Sequence, residues 1–377
     1  MTNLAEIAWL FFRLGLTAFG GPAAHIAMME DEFITRRQWI SRQHFLDLIG
    51  ATNLIPGPNS TEMTMHLGYE RGGFAGLLVA GACFIVPAAG LTGLLAWAYV
   101  EYGALPEVEP WLAGIKPAVL AIIAGALWKL GKKAMKGWRL APVAAGVFAA
   151  VAAGAGEIVA LLTGGVLGML WLRVTGPAAG TAALALLAWP REAWAAAANA
   201  ASGAAPVSLV KLGLFFLKVG AILYGSGYVL IAFLEGGLVG DYGWLTQQQL
   251  LDAVAAGQFT PGPVLTTATF VGFVLGGVKG ATVATLGIFL PSFAFVAILN
   301  PVVPKLRKSQ WSAAFLDAVN ASAVALMAAV TVELARTTLT SWQAALIVLA
   351  AGIASMRFGA SAVWLVLGGA AAGRLLL

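Results

Sequence analysis

Charge is what this sequence has least of. Among 377 residues there are 22 Lys or Arg, 17 Asp or Glu and 3 His, so charged side chains make up 10% of the chain. A soluble domain carries roughly 25%, and a chain so poor in charge cannot cover a water-facing globule. Cysteine is scarcer still. Cys83 stands alone inside an apolar run, which excludes an intrachain disulfide and a thiolate metal cluster. No G-x-G-x-x-G opens a helix after a strand and no paired-histidine haem spacing occurs, so no cofactor, no resident metal and no enzymatic activity is expected. The net charge of +5 does not point to nucleic acid, because the cations gather in short clusters between apolar segments.

Apolar residues take the place of charge: 60% of the chain is hydrophobic and mean hydropathy is +0.87. A bilayer core needs about 20 residues at a rise of 1.5 Å. The clearest span is 72–100. Further apolar stretches cover 110–128, 140–154, 158–172, 174–190, 280–303, 313–332, 341–356 and 359–373. Continuous apolarity predicts helices, since membrane strands alternate, and the density of Ala and Gly suits close helix contact in lipid. The first twelve residues hold no Lys or Arg, so no cleavable signal is expected. Basic residues crowd three loops, around Arg36, Arg37 and Arg42, around Lys129 to Arg139, and around Lys305, Arg307 and Lys308. The loop with Glu101, Glu107 and Glu109 has no cation. The positive-inside rule puts the basic loops in the cytoplasm and the acidic loop outside.

The chain repeats itself. A shift of 205 places Pro56-Gly57-Pro58 on Pro261-Gly262-Pro263 and aligns Arg13 with Lys218, Gly15 with Gly220 and Gly20 with Gly225. It also aligns Glu30 with Glu235, Trp39 with Trp244, Gln43 with Gln248, Asp47 with Asp252 and Gly72 with Gly277. After a one-residue deletion the shift becomes 204 and pairs Pro87 with Pro291, Trp138 with Trp342 and Gly165 with Gly369. Equivalent loops carry opposite charge, so the repeats are read as inverted. The boundaries expected are 1–173 for the first repeat, 174–206 for an extra spanning helix with an Ala-rich linker, and 207–377 for the second repeat. The N-terminus is expected in the cytoplasm and the C-terminus outside.

The segments before Gly72 are too short and polar for full spans. Residues 4–19 lead to Gly20-Gly21-Pro22 and return by 23–34. Residues 41–55 lead to Pro56-Gly57-Pro58 and return by 59–69. Each unit begins and ends on one face, which predicts a re-entrant hairpin with a Gly/Pro corner, because proline breaks the incoming helix and starts the outgoing one well. The second repeat offers corners at Gly225-Ser226-Gly227 and Pro261-Gly262-Pro263. The fold class expected is therefore an all-α polytopic membrane protein. It has two inverted repeats, each with two broken-helix hairpins and about four spans, joined by one further span. Interrupted helices at matching points of inverted halves point to a transport site near the midplane.

The corners suggest the sign of the cargo. Each returning half-helix aims its N–H groups and positive dipole end inward, which suits an anion. Hydroxyl and amide donors accompany them: Thr52, Asn53, Asn59, Ser60, Thr61 and Thr64, then Gln258, Thr260, Thr266, Thr267 and Thr269. A small, multiply hydrogen-bonded oxyanion is expected.

At these motifs the sequence resembles the chromate ion transporter family in its long-chain, two-repeat form. The resemblance is carried by Phe19-Gly20-Gly21-Pro22-Ala23-Ala24-His25, Trp39, Phe45-Leu46-Asp47, Pro56-Gly57-Pro58 and Gly68-Tyr69. In the second repeat it is carried by Phe216-Leu217-Lys218-Val219-Gly220, Gly225-Ser226-Gly227-Tyr228, Trp244-Leu245-Thr246, Pro261-Gly262-Pro263 and Phe270-Val271-Gly272. Ser226 stands where a third glycine is expected. The resemblance implies an inner-membrane secondary transporter that exports chromate, with sulfate as a related tetrahedral anion. An importer or broad carrier of sulfate-like oxyanions is the alternative, and a homodimer is allowed for.

The substrate-binding set read from the sequence is Arg13, Gly20, Gly21, His25, Asn53, Gly57, Asn59, Ser60, Thr61, Lys218, Gly225, Ser226, Gln258, Gly262, Thr266 and Thr267. Blander readings stand beside it. Arg13 and Lys218 are anion ligands or the neutralising partners of Glu30 and Glu235. Glu30, Asp47, Glu235 and Asp252 are proton-coupling groups or static ion pairs. Lys116 lies on the anion path or reaches the outer interface. His25 and His66 donate to an oxyanion or are satisfied core residues, His44 is solvated, and Cys83 packs.

Overall fold

The structure is a computed structural model and describes residues 4–173, 207–224, 227–299 and 309–376. The expected connecting span 174–206, the corner residues Gly225 and Ser226, and the loop holding Lys305, Arg307 and Lys308 lie outside the described residues. Among the described residues all regular structure is helical.

Helix α1 (Leu4–Thr17) ends just before Gly20, whose φ of 103° favours glycine. Helix α2 (Gly21–Met29) carries Pro22 in its first turn, where a missing N–H costs nothing. It widens into a π turn over Glu30–Arg36. Helix α3 (Arg42–Thr52) is capped by Ser41, whose hydroxyl accepts from the His44 N–H at 3.2 Å. Beyond Pro56-Gly57-Pro58 lies α4 (Asn59–Tyr102), which leaves helical geometry at Gly72 and Gly73. Residues 68 and 76 would lie about 12 Å apart along a straight helix. Here Gly68 and Gly76 touch, with no room for a β-carbon on either. The chain therefore reverses at Gly72-Gly73, and α4 is two arms side by side. Helices α5 (Glu109–Ala134), α6 (Ala141–Ala152) and α7 (Glu157–Arg173) complete the first half.

The second half follows the same plan. Helix α8 (Leu209–Ile222) is followed by α9 (Leu230–Leu234), which runs into a π turn over Glu235–Asp241. Helix α10 (Gln247–Phe259) starts from a Thr246–Gln249 capping box. Helix α11 (Thr267–Leu299) follows a 3-10 turn at Val264–Thr266, and α12 (Gln310–Thr338), α13 (Trp342–Phe358) and α14 (Ala362–Leu376) close the chain. Small features recur too. The Trp39 N–H donates to Phe33 O and the Trp244 N–H to Leu238 O, both at 2.8 Å.

One alignment needs correction. The break at Gly72 (φ −137°) and Gly73 (φ 58°) is matched by Gly276 (φ −154°) and Gly277 (φ 58°), and the touching pair Gly68–Gly76 by Gly272–Gly280. Gly72 thus corresponds to Gly276, not Gly277. The deleted residue falls earlier, between Pro263 and Gly272, where the second repeat has the 3-10 turn.

Ion pairs tie the open ends of the first two helix pairs. Arg37, after the π turn, meets Glu6 of α1 at 2.6 Å; Arg42 meets Glu30 at 3.1 Å; His44 of α3 meets Glu70 at 3.3 Å. In the second repeat Gln247, the counterpart of Arg42, hydrogen-bonds Glu235. The halves pack reciprocally. Helix α4 crosses α11, α5 lies on α13 and α14, and α12 lies on α6 and α7. Small residues allow this closeness: Gly114 abuts Gly369 and Gly373, while Gly165 and Gly168 abut Val319 and Ala318. Among the described residues four helices are long and apolar enough to cross a membrane, Asn59–Tyr102, Glu109–Ala134, Val264–Ile298 and Gln310–Thr338. Their outward faces expose Val86, Leu94, Leu286 and Leu290.

Candidate functional site

The two Pro-Gly-Pro corners meet the opposite repeat. The Gly57 N–H donates to Leu223 O at 2.7 Å, and the Gly262 N–H donates to Ala18 O at 2.9 Å. Leu223 is the repeat counterpart of Ala18, so one contact is made twice, in reciprocal form. Each corner also lands beside a helix proline. A β-carbon on Gly262 would lie 2.6 Å from Ala88 Cβ, next to Pro87, and one on Gly57 would lie 2.5 Å from Ser292 Oγ, next to Pro291. Gly57 and Gly262 hold φ of 140° and 88°, so glycine is required for shape and for space.

Polar side chains collect around these corners, most of them buried, with Asn53 and Asn59 at the edge. At the first, His25 bonds Ser60 Oγ at 3.1 Å and Ala18 O at 3.0 Å, and both side chains are buried. Asn59 donates to Asn53 Oδ1 at 2.7 Å. Thr61 is fully buried, and its hydroxyl makes no hydrogen bond. At the second corner the Thr92 hydroxyl reaches Thr260 at 3.2 Å and Thr266 at 3.1 Å, and Thr267 bonds Val264 O at 2.8 Å. Tyr228 donates to Gln258 Oε1 at 3.1 Å. Of the sixteen residues expected to bind substrate, His25, Asn53, Gly57, Asn59, Ser60, Thr61, Gln258, Gly262, Thr266 and Thr267 thus lie at or beside the two corners, and Gly20 and Gly21 form the glycine turn that opens α2. Gly225 and Ser226 lie outside the described residues.

The two cations are placed elsewhere. Arg13 is half-exposed and pairs with Glu32 at 2.7 Å. Glu32, not Glu30, is its partner, because the π turn brings Glu32 under both Arg13 and Arg37 while Glu30 turns to Arg42. The Arg37 hydrogen bond is the main cause that holds the Glu32 carboxyl below the usual carboxylate range, against burial, with the Arg13 charge adding to it. Glu32 corresponds to Gly237 by the shift of 205. Lys218, also exposed, has its charge directed at Glu157 and Asp241 instead, and the Glu157 carboxyl packs over Gly236. Of the expected coupling groups, Asp252 is buried and accepts from Tyr99 at 2.9 Å, while Glu30, Asp47 and Glu235 are half-buried.

Sequence reasoning passed over three interior polar residues, Glu62, Thr92 and Ser292. All are fully buried. The signal was available for Glu62: it is an acid in the first turn of a returning half-helix, and an ionisable residue at that depth is a functional candidate by default. Thr92 and Ser292 interrupt otherwise apolar runs, and their importance shows only once the opposite corner lands on them.

Two cavities flank this region. One of about 150 Å³ is of mixed character, with Asn53, Asn59, Lys133, Lys136, Asp317 and Asn320 set among Leu130, Ala134, Val229, Ala323 and Val324. The other, of about 390 Å³, is apolar apart from Tyr99, Tyr102 and Asp252, and reaches Gly103 and Val108 at the acidic loop.

Comparison with known proteins agrees with this two-part plan. The family model described as "Chromate transporter" matches residues 5–169 and again 210–374. The "Probable chromate transport protein" of Synechococcus elongatus is 33% identical over 373 residues, covering 95% of this chain and 91% of its own. The "Chromate transport protein" of Cupriavidus metallidurans is 31% identical, covering 98% and 92%, and that of Pseudomonas aeruginosa is 35% identical, covering 87% and 80%. No solved structure matches. With these relatives and its apolar helices the chain is a multi-pass membrane protein. It belongs to the chromate transporter family, with one family repeat in each half.

Proposed function

We propose that the chain is a secondary transporter that carries chromate out of the cytoplasm across the inner membrane. The observation that carries this reading is the reciprocal meeting of the corners. Gly57 with Leu223, and Gly262 with Ala18, bring two broken-helix N-termini and a set of buried hydroxyl, amide and imidazole groups to shared positions between the halves. A tetrahedral dianion needs several hydrogen-bond donors and a positive potential without a mobile cation, and helix N-termini with hydroxyls supply both. The membrane family and the names of its relatives support chromate as the anion. The substrate set proposed is the group at the corners, with Lys133 and Lys136 in the smaller flanking cavity as the approach from the basic side.

In this reading the helix pairs are re-entrant, the halves are inverted, and the basic loops face the cytoplasm together with the N-terminus. The contacts that close the open ends of the first two helix pairs on one face support the hairpins, and the opposite charge of equivalent loops supports the inversion.

The test is flux in proteoliposomes with a defined potential and pH gradient. Labelled chromate is expected to leave the cytoplasmic side, and excess sulfate is expected to compete. Accumulation in cells that rises with expression would reverse the direction, and absence of oxyanion flux would end the reading. Cysteines placed at Lys305 and at Glu107 are expected to label from opposite faces; labelling from one face would refute the inversion.

A further inference from the structure

Glu62 is a buried acid for which the site as described has no use. It lies in the first turns of the half-helix that opens at Asn59, and its side chain is fully buried. The carboxyl folds back toward the corner, where one oxygen lies against Gly57 in the space a β-carbon would need. It sits one residue beyond the place from which a carboxylate closes a capping box by accepting the N-cap N–H. Here the capping residue is Pro58, which has no N–H, and the Gly57 N–H is committed to Leu223 O. The Ser292 hydroxyl beside it is the carboxyl's one hydrogen-bonding neighbour among the described residues, and it does not reach good hydrogen-bond geometry to either oxygen. No Lys or Arg pairs with it among the described residues. The titratable groups around it are Tyr224 before the second-repeat corner, His66 on its own arm, and His25, which is held by Ser60 and Ala18. By the shift of 205 the second repeat has Thr267 at this position.

A negative charge in an apolar interior needs a partner, and the positive end of this half-helix is the field in which Glu62 sits. A substrate oxyanion at the same N-terminus needs the same field. Two anions cannot share it, because like charges a few ångströms apart in a poorly solvated site repel strongly.

We propose that the Glu62 carboxyl is a tethered stand-in for the substrate. The ionised carboxylate and the oxyanion exclude one another at the first Pro-Gly-Pro corner, so each oxyanion bound is accompanied by one proton taken from the aqueous phase onto Glu62. This rests on the reading that the corner holds an oxyanion, and it adds the group that links the anion to the proton gradient. No covalent bond changes. The proton joins the carboxylate as the anion arrives and leaves it as the anion departs.

The experiment measures equilibrium binding of labelled chromate and labelled sulfate to the purified full chain across a pH series, for wild type and Glu62→Gln. Wild-type affinity is expected to weaken by about tenfold per pH unit on the alkaline limb, as one-proton linkage requires. Glu62→Gln is expected to hold its low-pH affinity throughout, flat within about twofold. A Glu62→Gln profile as steep as wild type would assign the proton to another group, such as His66, and overturn the proposal. Should that variant fail to fold, proton uptake by wild-type protein in weak buffer decides: about one proton per anion bound is expected, and none would refute it. Wild-type binding that ignores pH sinks this proposal alone, whereas no binding of either anion at any pH sinks the oxyanion reading and this proposal with it.

Discussion

The two Pro-Gly-Pro corners have the same backbone and different interiors. Both use a left-handed glycine, both donate to the carbonyl just after the other repeat's first helix, and both land beside a proline of the crossing helix. The first then opens directly into α-helix and surrounds itself with His25, Ser60 and Glu62. The second, one residue shorter, opens through a 3-10 turn and offers the threonines 260, 266 and 267 with Thr92 from across the interface. Where the first has His25 and Ser60, the second has Leu230 and Leu265. Symmetry is kept where the backbone is constrained and abandoned in the side chains that surround the corners. One corner is titratable, the other is built from hydroxyls.

The largest effect that would break this comparison comes from the corner glycines themselves. Gly262→Ala forces a left-handed alanine against Ala88 and the Gly15 carbonyl, which cannot move aside, and is expected to cost about 3 kcal/mol or more. Gly57→Ala meets the ends of the Glu62 and Ser292 side chains, which can rotate. Membrane abundance and thermal unfolding are expected to fall further for Gly262→Ala, and equal losses would remove the distinction between the corners.

A second effect belongs to the titratable corner alone. His25→Leu installs the second repeat's residue at the equivalent place and removes the bonds to Ser60 and Ala18. Chromate flux in proteoliposomes is expected to drop at least about tenfold, with about 1 kcal/mol of stability lost per hydrogen bond. Flux equal to wild type would show that the first corner does not touch substrate.

Thr92→Val tests the hydroxyl corner more gently. It removes the group that reaches Thr260 and Thr266, and in a membrane such bonds are worth about 0.6 kcal/mol each. A slight fall in thermal stability and a several-fold loss of flux are expected; a larger loss of flux than His25→Leu gives would reverse the ranking of the two corners.

The smallest effect lies at the surface, where Arg13 and Arg37 share Glu32 in the first repeat. The folded-state carboxyl titrates below its ordinary 4.5. Its contribution is therefore fully present above that pH and is lost as pH falls through the lower folded value. Melting temperature measured from about pH 6 down to pH 3 is expected to fall for wild type, with a shallower slope for Glu32→Gln. Identical slopes would dismiss the ionic group as a contributor.

Much of the backbone plan could be read in the residues. The corners at Gly20 and Gly57, and the match of Gly57 with Gly262, are properties of glycine and proline, whose φ limits and missing N–H act locally. The partners of charged groups could not be read. The alternative to an anion ligand at Arg13 was a pair with Glu30, but a π turn shifts the face of the helix by a fraction of a turn and gives Arg13 Glu32. The reversal at Gly72-Gly73 was aligned one residue off because the deletion falls inside a half-helix, where side chains impose no visible register. Glu62 showed as an acid inside a returning half-helix, but its environment could not be read, because it is made by Gly57, Ser292 and Tyr224, two of which lie in the other half.

The amino-acid order alone determined that this chain lives in lipid, that it is doubled, and where its helices must break. These follow from solvation and from the backbone limits of single residues, both of which act without reference to distant sequence. Tertiary structure decided which broken end faces which crossing helix, and so which buried hydroxyls, imidazole and carboxyl share one environment. Those encounters join positions about two hundred residues apart. Their strength comes from the exclusion of water, which exists only once both halves have packed.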